Sequence, residues 1–247
     1  MKASVTTTVQ YVFFALLFTA SSFFVSQSAL RYASVSITES AQTAAEPPVT
    51  HIVIDPGHGG EDGGASSGDT LEKDLNLMIS ENLLDLFTIF GYNAVPTRTE
   101  DILLYDHYDD FEDYTGKKKT YDLKNRLRIA EESGAELYLG IHMNKFSDTS
   151  SRGLQVYYSA NTDTSRTAAE RIQTLTKTYL MPDNDRAAKK ATSAIYILNR
   201  IRIPAVLVEC GFLSNADDLA QLNTPEYRKK LSAVIFASAA EFITEEN

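Results

Sequence analysis

Cysteine is almost missing from these 247 residues, Cys210 being the only one. A lone thiol excludes an intramolecular disulfide framework and any metal site built from cysteines alone. His, Asp and Glu remain as the available ligand chemistry. Basic residues are also in deficit, 23 against 33 acidic ones, which gives a net charge of −10 and a pI near 4.9. Phosphate binding needs clustered Lys and Arg, so this balance argues against a nucleic-acid partner. The chain is not poor in core-forming residues. Hydrophobic content of 43% with 23% charged residues excludes wholesale disorder and allows one large α/β domain or two small ones. No internal repeat is visible.

One long uncharged run stands apart. Residues 3–30 carry no charge, and residues 9–25 are strongly apolar. At 1.5 Å rise per residue, about 20 apolar residues cross a bilayer's ~30 Å hydrocarbon layer. Residues 1–30 therefore read as a membrane anchor or an export signal, with the uncleaved anchor favoured by the length of the run. Both readings place the rest of the chain outside the cytoplasmic membrane. Residues 31–50, small and polar and ending in Pro47-Pro48, form a flexible tether, and 51–247 form the folded domain. The tail is neutral, Lys2 and Arg31 offsetting Glu39 and Glu46, so the whole acidic balance falls on that domain.

Within the domain, strand and helix patterns alternate. Strands are expected at 51–55, 92–97, 136–141, 153–159 and 204–208, with a further short one at 194–198. Helices are expected at 72–90, 122–133, 168–180, 216–222 and 225–243. Alternation of this kind predicts a single α/β domain with a central, mostly parallel (mixed) sheet flanked by helices on both faces. In such sheets ligands gather beyond the carboxyl ends of the strands. Residues 100–120, rich in Asp, Glu and Tyr and followed by three lysines, interrupt the pattern. They read as a solvated surface loop, the alternative being a lid that packs Tyr105, Tyr108 or Tyr114 on a substrate.

Three segments carry ligand-type side chains where this architecture wants them. DPGHGG places His58 just after the first strand, Glu72 opens the next helix, and GIHMN places His142 just past the end of another strand. The first two have plainer readings: a flexible turn with an incidental surface histidine, and a helix-capping acid. Together they form a His-Glu-His set of the type that holds catalytic zinc and leaves a fourth position open. His51 and His107 are weaker candidates, one at the wrong end of a strand and the other in the acidic insertion. Glu209 leaves an apolar run, VLVEC, and suits a general base and acid whose proton affinity is raised by its surroundings. Cys210, its neighbour on a strand, points the opposite way and reads as a small core residue. Asp55, Glu61 and Asp62 are placed to orient His58; Arg98, Asn144, Arg152 and Arg186 are candidate polar contacts to a substrate.

HIVIDPGHGGEDGGA, EKDLNL, RLRIAEESGAELYLGIHMN, RGLQVYY and IPAVLVECGFLSN occur in order over 51–243. This set closely resembles the zinc-dependent N-acetylmuramoyl-L-alanine amidases that cut peptidoglycan. The resemblance implies Zn2+ held by His58, Glu72 and His142, with Glu209 as the catalytic glutamate. It also implies hydrolysis of the bond between N-acetylmuramic acid and L-alanine. A single catalytic domain behind a hydrophobic segment is most similar to the short spore-cortex, germination-specific amidases, whose product is the precursor of muramic δ-lactam. Lys145 departs from the family pattern, which has a small residue there. A general wall autolysin is the alternative within the class. Outside it stand a zinc peptidase or deacetylase, and a non-catalytic peptidoglycan-binding protein. The expected partners are peptidoglycan, the membrane through the N-terminal segment, and an accessory protein of unknown identity.

Overall fold

The computed structural model describes residues 51–109 and 113–246. The hydrophobic segment 1–30 and the tether 31–50 lie outside the described residues. Among the described residues no helix is long and apolar enough to cross a membrane.

Strand β1 (His51–Pro56) opens the domain, and its Ile52, Val53 and Ile54 are fully buried, as a β-branched run covered on both faces requires. A two-residue hairpin, β2 (Ser66–Ser67) and β3 (Thr70–Leu71), leads directly into helix α1 (Glu72–Ile89). Strand β4 (Asn93–Pro96) follows, then α2 (Lys118–Glu132), β5 (Leu137–Asn144), β6 (Gln155–Tyr158) and α3 (Thr164–Tyr179). The chain continues through β7 (Lys189–Lys190), β8 (Ala205–Phe212), α4 (Ala216–Leu222) and α5 (Pro225–Glu246).

Six strands form one sheet in the order β4-β1-β5-β8-β6-β7. The first four are parallel, β6 runs antiparallel to β8, and β7 is parallel to β6. The mixed, mostly parallel sheet expected from alternation is therefore present. Period-two alternation divides its side chains between two faces. One face carries Ile52, Ile54, Leu139, Ile141, Val206 and Val208, and packs on α1, α3 and α5. The other carries Val53, Tyr138 and Leu207, under α2 and the turn segment that holds Ile197, Leu198 and Ile201.

Two local expectations are corrected. Residues 194–198 are turns, because Ile197 and Leu198 dip into the second core layer from a loop; their apolar spacing only mimics a strand. The extra strand is instead Lys189–Lys190, an exposed pair on the sheet edge. Lysine on a short edge strand blocks pairing with a further chain. His142 and Glu209 also lie within β5 and β8 rather than just past their ends. In-register parallel pairing sets them side by side, immediately before a register shift in which β8 carries one residue more than β5.

Candidate metal centre

The loop after β1 brings His58 to the site in a left-handed conformation, φ 63°, which is unfavourable for a residue with a Cβ. Surrounding bonds hold it there. Gly57 N–H donates to Ile141 O at 3.0 Å and extends the β1–β5 pairing beyond the strand. Arg126, 1% exposed, reaches the loop from α2. Its Nη1 donates to Asp55 Oδ1 (2.6 Å) and Pro56 O (2.8 Å), and its Nη2 to His58 O (2.6 Å). Its Nε donates to Asp122 Oδ2 at 2.8 Å. Burial disfavours the Arg126 charge, but Asp55 and Asp122 outweigh it and hold the guanidinium firmly protonated. Gly57 must be glycine, since a Cβ there would overlap the His142 imidazole.

Glu72 is the first residue of α1. That helix has no side-chain cap; loop carbonyls serve instead, Ala65 O accepting from Glu72 N–H (2.8 Å) and Gly63 O from Lys73 N–H (3.2 Å). The carboxylate accepts from Ala65 N–H at 2.7 Å and from Met143 N–H at 3.1 Å. Its Oε1 lies 3.0 Å from His142 Nδ1 and 3.2 Å from His58 Nε2. Burial alone would raise this carboxyl, but the two imidazoles overcome it and hold it well below the usual range.

One donor atom from each of His58, Glu72 and His142 lies within 4.8 Å of the other two. Zinc bonds of ~2.0–2.1 Å in tetrahedral array set donor separations of about 3.3 Å. The two His–Glu distances match this spacing. Asp62 Oδ2 sits 3.0 Å from His58 Nδ1, which leaves Nε2 free to face the cluster. The donor set, its spacing and its carboxylate-oriented histidine all fit a divalent metal.

Glu209 lies beside His142 in register, and its Oε2 is buried with no hydrogen-bond partner. Burial pushes its carboxyl up to about 7; Glu72 adds to the rise while the two histidines oppose it. A carboxyl poised near neutrality can both take and return a proton. Cys210, by contrast, is fully buried in the apolar layer and burial pushes its thiol far up, so it is no ligand.

The other candidates separate by location. Asp55 is taken up by Thr97, Tyr138 and Arg126, and so anchors the loop rather than joining the cluster. Arg98 is 3% exposed and directs its donors to the carbonyls of Pro56, Gly57, Lys73 and Glu100, so it supports the loop and does not reach outward. Glu61 pairs with Lys118 rather than with His58. Asn144 Oδ1 accepts from Lys145 N–H, and Lys145 Nζ donates to Ser66 O of the hairpin at 2.6 Å. Arg186 stands apart from the cluster, stacked on the ring of Phe212.

Described residues of the acidic insertion and of the lysines after it buttress the His58 loop. Asp101 accepts from Gly60 N–H (2.7 Å) and from Lys73 Nζ (2.6 Å), while Lys119 pairs with Asp62 at 3.0 Å. Its tyrosines pack along α2: Tyr105 and Tyr114 centroids are 5.2 Å apart, and Tyr108 stacks under Arg128. Sequence reasoning gave no role to Arg126, Lys73 or Asp101. The signal for Arg126 was its place on the apolar stripe of α2, three residues after Leu123 and four before Ala130.

A doubly covered mixed sheet that sets a His-Glu-His cluster beside a glutamate of β8 has the layout of a candidate metal-dependent hydrolase centre. The family model for N-acetylmuramoyl-L-alanine amidases matches residues 52–241, and the chain belongs to this family. It is an amidase of peptidoglycan, and it acts at the cell wall. The germination-specific N-acetylmuramoyl-L-alanine amidase of Bacillus subtilis (strain 168) is 32% identical over 194 residues, 78% of this chain and 80% of that protein. The amidase LytC of the same strain is 32% identical over 186 residues, 74% of this chain but 34% of LytC. Among solved structures, the CwlD amidase from Clostridioides difficile, in complex with the GerS lipoprotein, superposes with TM-score 0.73 at 33% identity. That match covers 79% of this chain and 98% of CwlD.

Proposed function

We propose that His58, Glu72 and His142 hold a zinc ion and that Glu209 moves the proton in hydrolysis of the muramoyl–L-alanine amide. The observation that carries this reading is the convergence of His58 Nε2 and His142 Nδ1 on one oxygen of Glu72, beside an unpartnered buried carboxyl. When bound, zinc supplies Lewis acidity that polarises the scissile carbonyl and eases deprotonation of water. Glu209 accepts the proton of the attacking water and returns it to the departing alanine nitrogen. Asp62 keeps the His58 ring oriented, and Arg126 and Arg98 keep its backbone in place.

The N-terminal run supports tethering of the domain to the outer face of a membrane, with residues 31–50 as the spacer. Similarity to a germination-specific amidase supports a role in spore cortex, where peptide removal precedes muramic δ-lactam formation. The LytC match is the ground for the alternative, general wall remodelling. CwlD was solved with a lipoprotein, so an accessory protein belongs in any assay of this chain.

The test is mass spectrometry of purified peptidoglycan incubated with zinc-loaded full-length protein, with and without extract of the producing cells. Free stem peptides beginning with L-alanine are the expected product, with about one zinc per chain and loss of release on chelation. Cleavage elsewhere in the peptide, or deacetylated glycan, would overturn the reading.

A further inference from the structure

On the side of Glu209 away from the histidines, the antiparallel pairing of β6 with β8 sets Gln155 in register with Glu209. Gln155 Oε1 lies 3.4 Å from Nη1 of Arg186. The guanidinium stacks on the Phe212 ring, 4.4 Å from its centroid, and Nε donates to Arg152 O at 2.8 Å. Stacking and this bond orient the fork in advance, while no described carboxylate forms an ion pair with it. The side chain borders a cavity of about 730 Å3 that runs on between Arg152, Met181 and Tyr227. Asp183, Asp185 and Asp217 line the same cavity, so it does not suit a simple anion. Its mixed lining suits a short peptide bearing both charge signs.

We propose that this cavity receives the stem peptide and that Arg186 binds a peptide carboxylate next to the scissile amide. The proposal rests on the amidase reading and adds to it the side on which the peptide lies. Spacing supports it. Neighbouring strands are ~4.8 Å apart, and an extended peptide advances about 3.3–3.6 Å per residue. A carboxylate one or two residues beyond an amide at Glu209 therefore falls within reach of a guanidinium one strand away. Charge supports it too, since an acidic domain needs a local cation to draw in an anionic chain.

The test compares two muramoyl-peptides as substrates for the zinc-loaded full-length protein. One has a free α-carboxylate on the residue after L-alanine; in the other that group is a carboxamide. The unaltered enzyme should favour the free acid. Arg186→Ala should lose roughly 10–100-fold in kcat/KM on the acid, mainly through KM, and little on the amide. Arg186→Lys should retain part of the preference. Zinc content and melting temperature, measured on each variant, identify any that is misfolded, and Arg186→Lys then decides. Equal losses on both substrates, or an undiminished preference in the alanine variant, would overturn the proposal while leaving the amidase reading intact. Failure of the unaltered enzyme to release any L-alanine peptide would instead overturn the amidase reading beneath it.

Discussion

The two faces of the central sheet use opposite chemistry. Under α1, α3 and α5, the strands contribute an unbroken apolar layer in which Ile54, Leu139, Val206 and Val208 are fully buried. On the other face, β1, β5, β8 and β6 contribute Asp55, His142, Glu209 and Gln155, and α2 answers Asp55 with Arg126, itself held by Asp122. An apolar layer stabilises without direction, whereas each buried polar group needs a partner at a defined distance. The first face therefore secures the fold and the second fixes positions. On the second face the Oε2 of Glu209 is buried without a hydrogen-bond partner, and the proposed proton transfer rests on that.

Four changes would break or sharpen this contrast. Glu209→Gln should reduce kcat by about 10²–10⁴-fold while zinc stays bound. Its melting temperature should not fall, because a neutral amide replaces a carboxyl that burial already disfavours in its charged form. Retained turnover would remove Glu209 from its role. Next in size, Arg126→Met should lose about 3–5 kcal/mol of stability by urea denaturation, since Asp55 and Asp122 are left buried without their cation. It should weaken zinc binding as well. Leu139→Ala on the opposite face should lose about 2–5 kcal/mol yet leave zinc affinity and kcat of the folded enzyme unchanged. If the two variants affect zinc alike, the division of labour between the faces is wrong. Asp62→Asn should weaken zinc affinity by roughly 10–100-fold with little change in melting temperature, because the carboxylate touches the ring of His58 but carries no part of the core.

The smallest effect concerns acid. Burial works to raise the Asp55 carboxyl, but Arg126 and the hydroxyls of Thr97 and Tyr138 hold it below its ordinary value. Its folded value is depressed, so its contribution is complete above the unfolded value of ~3.9 and lost as pH falls through the folded one. Urea midpoints measured from pH 6 down to pH 2 should fall on the acid side, and Asp55→Asn should flatten that limb.

The candidate cluster was legible in sequence to the extent that its side chains sit at topologically marked points. His58 lies two residues after β1, Glu72 opens a helix, and His142 lies near the carboxyl end of β5, the strand beside β1, so the parallel sheet brings them together. Glu209 was legible because a carboxylate in a run of Val and Leu is costly to bury unless a partner, a cation or a proton offsets its charge. The supports were not. Arg126 sits on the apolar stripe of α2, but the loop groups it holds lie about 70 residues upstream, beyond any local pattern. Asp101 belongs to a stretch whose charge density reads as solvated, although that residue is fastened to Gly60 and Lys73. Periodicity also misled at Ile197 and Leu198, where burial comes from a loop, and it had nothing to register at Lys189–Lys190.

The lone thiol carries a last consequence. Cys210 lies in the dry apolar layer, its Sγ beside the carbonyl of Val208 and fully shielded from solvent. An enzyme that works at the wall meets oxidants and foreign sulfhydryls that cytoplasmic proteins rarely encounter. Sealed this way, the sulfur can neither cross-link two copies nor capture a small thiol while the fold is intact. The protein can thus operate in an oxidising medium without any bridge of its own, and without the hazard of an unpaired one.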